Sequence, residues 1–195
     1  MPNMSKSWSK TLSMAAIPVL VVSVFFAAYA IKKAQDAAVL PDYGAAPIFE
    51  LTDSSGQKFE SSSLMGDPWI MTFLFTRCPD QCPLMLTKMT KLSKQVPILK
   101  FVSITADPDF DKPEVLAEYV QRGVGPKKWN FLTGEKEALT QIALDFMTSA
   151  PDNPGLHSTR FILVDGSGRI RGFYDSQSKE QMGALAVDAR GLLSL

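Results

Sequence analysis

Two cysteines, Cys78 and Cys82, are the residues of this chain whose spacing first indicates chemistry. Three residues separate them, and a turn of that length can supply the Cα separation of about 4.4–6.8 Å that a disulfide needs. The same turn, opened slightly, would let both sulfurs hold one metal ion. The plainer alternative is a passive disulfide or two inert buried thiols, but a bond closing so short a loop stabilises a fold little. We therefore interpret the pair as a redox or metal-binding group.

The residues around the pair predict reactive thiols. Pro83 lacks an N–H and suits the first position of a helix, so Cys82 is predicted as the N-cap and Cys78 lies in the preceding loop. A helix N-terminus favours an anion, and Arg77 adds positive charge nearby. We therefore expect Cys82 to have the lower thiol pKa and Cys78 to be more accessible. The roles would be exchanged if Pro79 began the helix.

The only histidine, His157, is the third candidate metal ligand. A lone histidine in a loop is more often a solvated side chain, so its neighbourhood has to decide its role. Two thiolates and one imidazole suit Cu(I), or Cu(II) with added oxygen ligands. Structural zinc wants four protein ligands and haem c needs a CxxCH motif, so both are disfavoured. Met85 and Met89 share a helical stripe behind Cys82, and we expect them to pack in the core.

Alternating strands and helices must position these residues. Residues 69–75 and 98–105 are apolar runs, as expected of central strands buried on both faces. Strands separated by helices predict a parallel sheet covered on both sides, with its working site where strands lead into helices. The predicted strands span residues 48–51, 57–59, 69–75, 98–105, 129–132, 161–165 and 169–174, and the predicted helices span residues 83–95, 112–121, 135–146 and 179–193.

This order predicts an α/β, thioredoxin-like domain, with a central mixed sheet flanked by helices and an insertion between its halves. The turn after residue 75 brings the cysteine pair to the working edge. In such a layout the loop that carries His157 enters the sheet beside the N-terminus of the first helix. The layout therefore favours His157 as a ligand together with the two cysteines.

A membrane anchor is predicted before this domain. Residues 11–31 contain no charge, and a helix of that length spans roughly 30 Å, the thickness of a bilayer core. We expect residues 1–10 to be a cytoplasmic tail, residues 32–46 a linker and residues 47–195 the domain. Ala28-Tyr29-Ala30 resembles the small-x-small cleavage site of a signal peptide, so cleavage there is the alternative. Both interpretations place the domain outside the cytoplasm.

Charge separates the two parts of the chain. Residues 1–33 hold four lysines and no acid, which leaves 16 basic and 20 acidic residues in the remainder. That balance argues against nucleic acid as a partner, whereas lysines around an apolar segment suit a lipid bilayer. Because the N-terminus lacks arginine, mitochondrial targeting is disfavoured. The predicted location is the bacterial cytoplasmic (inner) membrane, crossed once, with the domain on the periplasmic or extracellular side.

With these residues assembled, the chain resembles the Sco/SenC family of membrane-anchored copper chaperones. The most specific match is the FT-x-CP-x-x-CP motif followed by a distant histidine. Two departures stand out, because many members have an acidic residue where Leu156 stands and a histidine where Arg77 stands. The matching segments are residues 47–56, 73–83, 105–108, 129–134, 157–158 and 163–168.

The resemblance implies a thioredoxin-like fold and copper bound by Cys78, Cys82 and His157. It also implies a role in assembling the binuclear copper site of cytochrome c oxidase, as copper donor, as reductant of the cysteines of that site, or as both. The implied partners are the oxidase subunit carrying that site and other copper chaperones or thiol reductants. Two alternatives stay open: a thiol–disulfide oxidoreductase that uses the cysteines without obligatory copper or His157, and a peroxidase of peroxiredoxin type.

Overall fold

The computed structural model describes residues 22–26, 40–122, 129–146 and 159–193. The chain divides into two units, residues 1–39 and residues 40–195. In the first unit residues 22–26 are helical and their side chains are exposed. Within the described residues, none of the helices combines the length and the apolar character needed to cross a bilayer. Most of the predicted anchor lies outside the described residues.

In the second unit the described strands form one seven-stranded sheet, in the order β2-β1-β5-β4-β3-β6-β7. Strands β3, β4 and β5 are parallel, and the outer strands pair antiparallel. This confirms the predicted mixed α/β, thioredoxin-like architecture. The elements in chain order are β1 (Glu50–Asp53), β2 (Lys58–Glu60), a 3-10 turn (Ser61–Leu64), β3 (Trp69–Leu74), α1 (Gln81–Gln95), β4 (Lys100–Thr105), α2 (Pro113–Gln121), β5 (Trp129–Thr133), α3 (Lys136–Asp145), β6 (Arg160–Val164), β7 (Ile170–Asp175) and α4 (Lys179–Gly191).

Strand β3 is almost entirely apolar because both faces of the sheet are covered. All six residues of β3 are buried. Its alternate side chains enter two separate cores, since successive residues of a strand point to opposite faces. Ile70 and Leu74 pack in the core beneath α1, α2 and α4, whereas Met71 and Phe73 pack in the core that includes α3. The cysteine pair belongs to the first of these cores.

The structure attaches part of the predicted linker to the domain. Residues 40–46, which small residues and prolines indicated as linker, belong to the second unit. The Tyr43 N–H donates to the Ile170 carbonyl at 3.0 Å, and the Ala46 N–H donates to the Gly168 carbonyl at 2.8 Å. Backbone hydrogen bonds of this kind do not depend on side-chain type, so the composition of the segment gave no sign of them. The second unit therefore includes residues 40–46 together with the predicted domain.

Candidate dithiol site

The candidate site lies at the edge of the sheet where β3 and β4 end. The two strands are parallel, with Leu74 opposite Thr105, so their carboxyl ends lie side by side. The β3–α1 loop leaves this edge and carries Cys78, and Cys82 follows in the first turn of α1. The site is thus at the position that the strand order predicts for an open α/β sheet.

Both cysteines are reduced and buried. Cys78 is 8% exposed and Cys82 is completely buried. The Cys78 N–H donates to the Phe75 carbonyl at 3.2 Å, which turns the loop back towards the helix. The Cys82 N–H then donates to Cys78 Sγ at 3.3 Å. The prediction that Cys78 is the more accessible of the two is confirmed.

The predicted helix start is wrong by two residues. Helix α1 begins at Gln81, so Cys82 is its second residue and Asp80 is the N-cap, without a side-chain capping bond. Proline is tolerated anywhere in the first turn, because the first four N–H groups of a helix have no partner within it. Pro83 therefore did not fix the boundary. The Cys78 sulfur accepts from one of those N–H groups and takes over part of the capping.

The predicted order of the two thiol pKa values is also wrong. Burial raises the pKa of Cys78, but hydrogen bonds from the backbone and thiol of Cys82, and from the backbone of Asp80 and Gln81, outweigh burial and leave that pKa lowered. Burial raises the pKa of Cys82 to about 12, even though the Phe75 backbone opposes the rise. The N–H groups at the helix start donate to the Cys78 sulfur, so they stabilise the thiolate of Cys78 rather than that of Cys82.

A buried carboxylate, Asp111, anchors the cysteine loop to the neighbouring strand. It is completely buried and lies six residues beyond the end of β4. The Thr76 N–H donates to its Oδ2 at 3.0 Å, and the hydroxyls of Thr76 and Thr105 also donate to its carboxylate. Because Thr76 is two residues before Cys78, this network fixes where the loop leaves the sheet.

Arg77 does not act on the thiols as the sequence suggested. Its Nε donates to Asp107 Oδ2 at 3.0 Å, and its guanidinium carbon lies 4.2 Å from the centre of the Phe110 ring. Asp107 compensates the positive charge of Arg77, and the largest causes of the pKa shifts at the two cysteines are burial and hydrogen bonds rather than Arg77. Arg77 instead ties the cysteine loop to the β4–α2 loop.

Tyr119 of α2 is a neighbour of the site that sequence reasoning missed. Burial, followed by the charges of Cys82, Cys78 and Asp111, raises the pKa of Tyr119 to about 12. Its ring packs edge-on against Phe131, with 6.0 Å between ring centres. The signal that could have found Tyr119 and Asp111 is positional: both lie on the segment that follows β4, whose end adjoins the end of β3.

His157 lies outside the described residues, and the chain resumes at Thr159, close to α1. The Thr159 carbonyl accepts from the Ser176 N–H at 3.0 Å, and the Ser176 carbonyl accepts from the Lys88 ammonium group of α1. Strand β6 runs antiparallel to β3, so its first residue, Arg160, lies towards the end of β3 that leads to the cysteines. The Arg160 carbonyl also accepts from Thr72 at 3.0 Å.

The described side chains define what the site offers a metal. Across the described ranges, no group of three or more His, Cys, Asp or Glu side chains is placed to hold one ion. The described site therefore offers two sulfur ligands, of which Cys78 is the more readily ionised. Met85 and Met89 are 2% and 0% exposed and pack in the core, as predicted. Chemically, the pair can form a disulfide, exchange with another disulfide, or bind a soft metal ion.

Known proteins resemble this chain in sequence and in fold. A protein of Rickettsia typhi named SCO2-like protein is 35% identical over 150 residues, which cover 69% of this chain and 72% of the relative. A SCO1/SenC family lipoprotein of Bacillus anthracis has 32% identity and a TM-score of 0.68, over 76% of this chain and 95% of its own. Yeast Sco1, solved with copper bound, has 28% identity and a TM-score of 0.61, over 74% of this chain and 86% of its own.

The family profile SCO1/SenC matches residues 41–190, which include the whole described sheet, the cysteine loop and α1. The match begins within the segment that the structure adds to the predicted domain. On its match to the family profile and on its similarity in sequence and fold to these relatives, this chain belongs to the SCO1/SenC family.

Proposed function

We propose that this protein is a membrane-anchored copper chaperone that acts in the assembly of cytochrome c oxidase. It binds copper as cargo through Cys78, Cys82 and His157, and it delivers the ion to the binuclear copper site of the oxidase or reduces the cysteines of that site. The observation that carries the proposal is the asymmetric dithiol at the sheet edge, in which Cys78 ionises more readily than Cys82. Yeast Sco1, a relative with the same fold, has been solved with copper bound.

The two sulfurs suit a soft ion. Thiolate is the form that binds metal, and the helix start supports it at Cys78. Burial raises the pKa of Cys82, so its thiol keeps its proton until a metal or an oxidant reaches the sulfur. Binding of copper therefore releases a proton, and affinity rises with pH.

The entry of the chain into β6 supports His157 as the third ligand. His157 is two residues before Thr159, and two residues of extended chain reach at most about 7 Å. Thr159 is linked through Ser176 to Lys88 of α1. An imidazole on this short segment is thus within reach of the helix that carries Cys82.

The same pair can reduce a disulfide of the partner. Cys78 thiolate attacks one partner sulfur, forms a mixed disulfide and displaces the other partner sulfur as a thiolate. Cys82 then loses its proton, attacks Cys78 Sγ and releases the second partner sulfur. Two electrons pass to the partner, which leaves as a dithiol, and this protein keeps the Cys78–Cys82 disulfide. External thiol reductants must restore the dithiol.

Copper titration of the wild type, His157→Ala and Asn153→Ala tests the ligand set, with Asn153→Ala as a control in the same segment. We expect His157→Ala to weaken copper binding markedly with an unchanged unfolding transition, and Asn153→Ala to bind as the wild type does. An unchanged copper affinity and spectrum in His157→Ala would remove this residue from the site.

The second candidate function is a thiol–disulfide oxidoreductase without obligatory copper, which the lowered pKa of Cys78, the less buried of the two cysteines, also favours. The two functions differ in their need for His157. Disulfide reduction that proceeds equally fast in His157→Ala, in a protein that binds no copper, would identify the oxidoreductase.

We further propose residues 11–31 as an uncleaved anchor in the bacterial cytoplasmic membrane, with the domain outside the cytoplasm. The uncharged run and its flanking lysines support this. Mass spectrometry of the protein extracted from membranes tests it. A mature N-terminus at Ile31 would leave only the signal-peptide alternative.

A further inference from the structure

The outer face of α1 carries a lysine stripe, formed by Lys88, Lys91 and Lys94. Residues three apart are neighbours on a helix surface, so the three side chains share one side of α1. The 15 residues of α1 include no acid. Beyond residue 33 the chain is acidic overall, with 16 basic and 20 acidic residues. The stripe is therefore a local reversal of the charge of this domain.

A groove runs between the lysine stripe and α4. Its volume is about 220 Å³, and Lys88 and Lys91 form its basic side. Leu92 lies among the lining residues, and the opposite wall is formed by Met182 and Gly183. A methyl group added to Gly183 would meet no atom within 4 Å, so this wall is open to the surface. The groove thus combines an apolar interior with positive charge along one side.

The lysines of the stripe differ in their contacts. Lys88 donates to the Ser176 carbonyl and is fixed in place. In the part of the chain that the structure describes, Lys91 and Lys94 form no ion pair. Their charges are thus not compensated by the described acidic residues.

We infer that the lysine stripe and the groove bind an acidic amphipathic segment of the protein partner. Acidic side chains pair with the stripe, and one or two apolar side chains fill the groove. A volume of 220 Å³ is below the roughly 300–1,000 Å³ of small-molecule sites, which favours side chains over a lipid acyl chain. This inference rests on the proposed function, because it describes how the dithiol meets its partner.

The position of the stripe along α1 gives it a role in orientation. Lys88 is six residues after Cys82, which corresponds to about 9 Å along the helix axis. A segment bound to the stripe therefore holds the adjoining residues of the partner near the N-terminal end of α1, beside the loop that carries Cys78, the less buried of the two cysteines. Opposite charges also raise the rate of encounter, and salt weakens that effect.

The test uses the reduced full-length protein in detergent and two synthetic disulfide peptides. Each peptide has one intramolecular CxxxC disulfide and the same apolar residues, flanked by glutamates in one and glutamines in the other. The rate constant for disulfide exchange is measured for the wild type, for Lys91→Gln/Lys94→Gln, and for Lys58→Gln/Lys136→Gln. The last variant loses the same charge from elements remote from α1.

We expect the wild type to reduce the acidic peptide about five- to tenfold faster than the neutral peptide at low salt. The preference for the acidic peptide should disappear in Lys91→Gln/Lys94→Gln. It should also disappear at 0.5 M NaCl, because the Debye length there lies between roughly 3 and 10 Å and the charges are strongly screened. It should persist in Lys58→Gln/Lys136→Gln. Equal rates for the two peptides, or a preference that survives in Lys91→Gln/Lys94→Gln, would overturn the inference.

Two further outcomes separate this inference from the proposed function and from lipid binding. Failure to reduce even the neutral peptide would count against the dithiol function itself, whereas equal reduction of both peptides counts only against the stripe. Co-sedimentation with vesicles of phosphatidylglycerol provides the lipid comparison. If Lys91→Gln/Lys94→Gln abolishes vesicle binding and leaves the peptide preference intact, the stripe binds membrane and the inference is wrong.

Discussion

The backbone N–H of Cys82 donates a hydrogen bond to Cys78 Sγ across 3.3 Å. This contact makes two chemically identical side chains unequal. It helps to stabilise a thiolate on Cys78, while Cys82 lies in the core and keeps its proton. We therefore expect a thiol-reactive reagent to modify Cys78 before Cys82.

The inequality of the two thiols predicts their reactivity. Because the pKa of Cys78 is lowered, its thiolate fraction rises at a lower pH than that of an ordinary cysteine, and its alkylation rate levels off once pH exceeds that pKa. Cys82, with a pKa of about 12, stays protonated and reacts last. Iodoacetamide labelling from pH 5 to 10, read by mass spectrometry, measures both rates. Equal labelling of the two cysteines at pH 7 would contradict the assignment.

The buried network of Asp111 predicts a large effect of a small change. Asp111→Asn places an amide donor against the N–H of Thr76 and the hydroxyls of Thr76 and Thr105, so we expect a loss of about 1–3 kcal/mol in unfolding free energy. Asp109→Asn is the matched control, because its carboxylate is 79% exposed. Urea denaturation measures both. A variant Asp111→Asn as stable as Asp109→Asn would show that the network does not anchor the loop.

The contact between Arg77 and Asp107 should contribute little to the stability of the fold. The Arg77 side chain is 56% exposed, and exposed ion pairs contribute about 0–1 kcal/mol. We expect Arg77→Gln to shift unfolding free energy by less than about 1 kcal/mol and to leave the pH midpoint of Cys78 alkylation unchanged. A clear rise of that midpoint would show that the arginine charge does support the thiolate.

The burial of Met85 and Met89 predicts that they are not ligands. In the double variant Met85→Leu/Met89→Leu the apolar volume is nearly conserved, so each change should cost less than about 1.5 kcal/mol of unfolding free energy. Copper stoichiometry and affinity should match the wild type. A lost copper equivalent, with the fold retained, would place a thioether in the site.

Much of the fold could be predicted because its signals are local. The apolar run of β3 and the pattern of β4 indicate strands that are buried on both faces. The order of strands and helices then implies that the centre of the sheet is parallel. The 3-10 turn Ser61–Leu64 and the attachment of residues 40–46 escaped prediction. Both depend on contacts with chain segments far away in sequence, such as Phe49 N–H with Ser61 Oγ.

The cysteine pair could be located from its spacing, but its electrostatics could not be predicted. A difference of two residues in the start of α1 reversed the predicted order of the pKa values of Cys78 and Cys82. The pKa values depend on which sulfur accepts hydrogen bonds from the N–H groups of the helix start, and the sequence does not show which sulfur that is. Asp111 was missed because its partners, Thr76 and Thr105, come together only when β3 and β4 pair.

The measurement that tests the central claim most directly is a Cu(I) competition titration of two matched samples of the full-length protein, one reduced and one oxidised to the Cys78–Cys82 disulfide. Both states use the same two sulfurs, so copper and the disulfide must exclude each other. We predict one Cu(I) bound tightly by the reduced protein and far weaker binding by the oxidised protein, with bound Cu(I) slowing formation of the disulfide. Equal affinity in the two samples would contradict the account, because the cysteines would then not be the ligands.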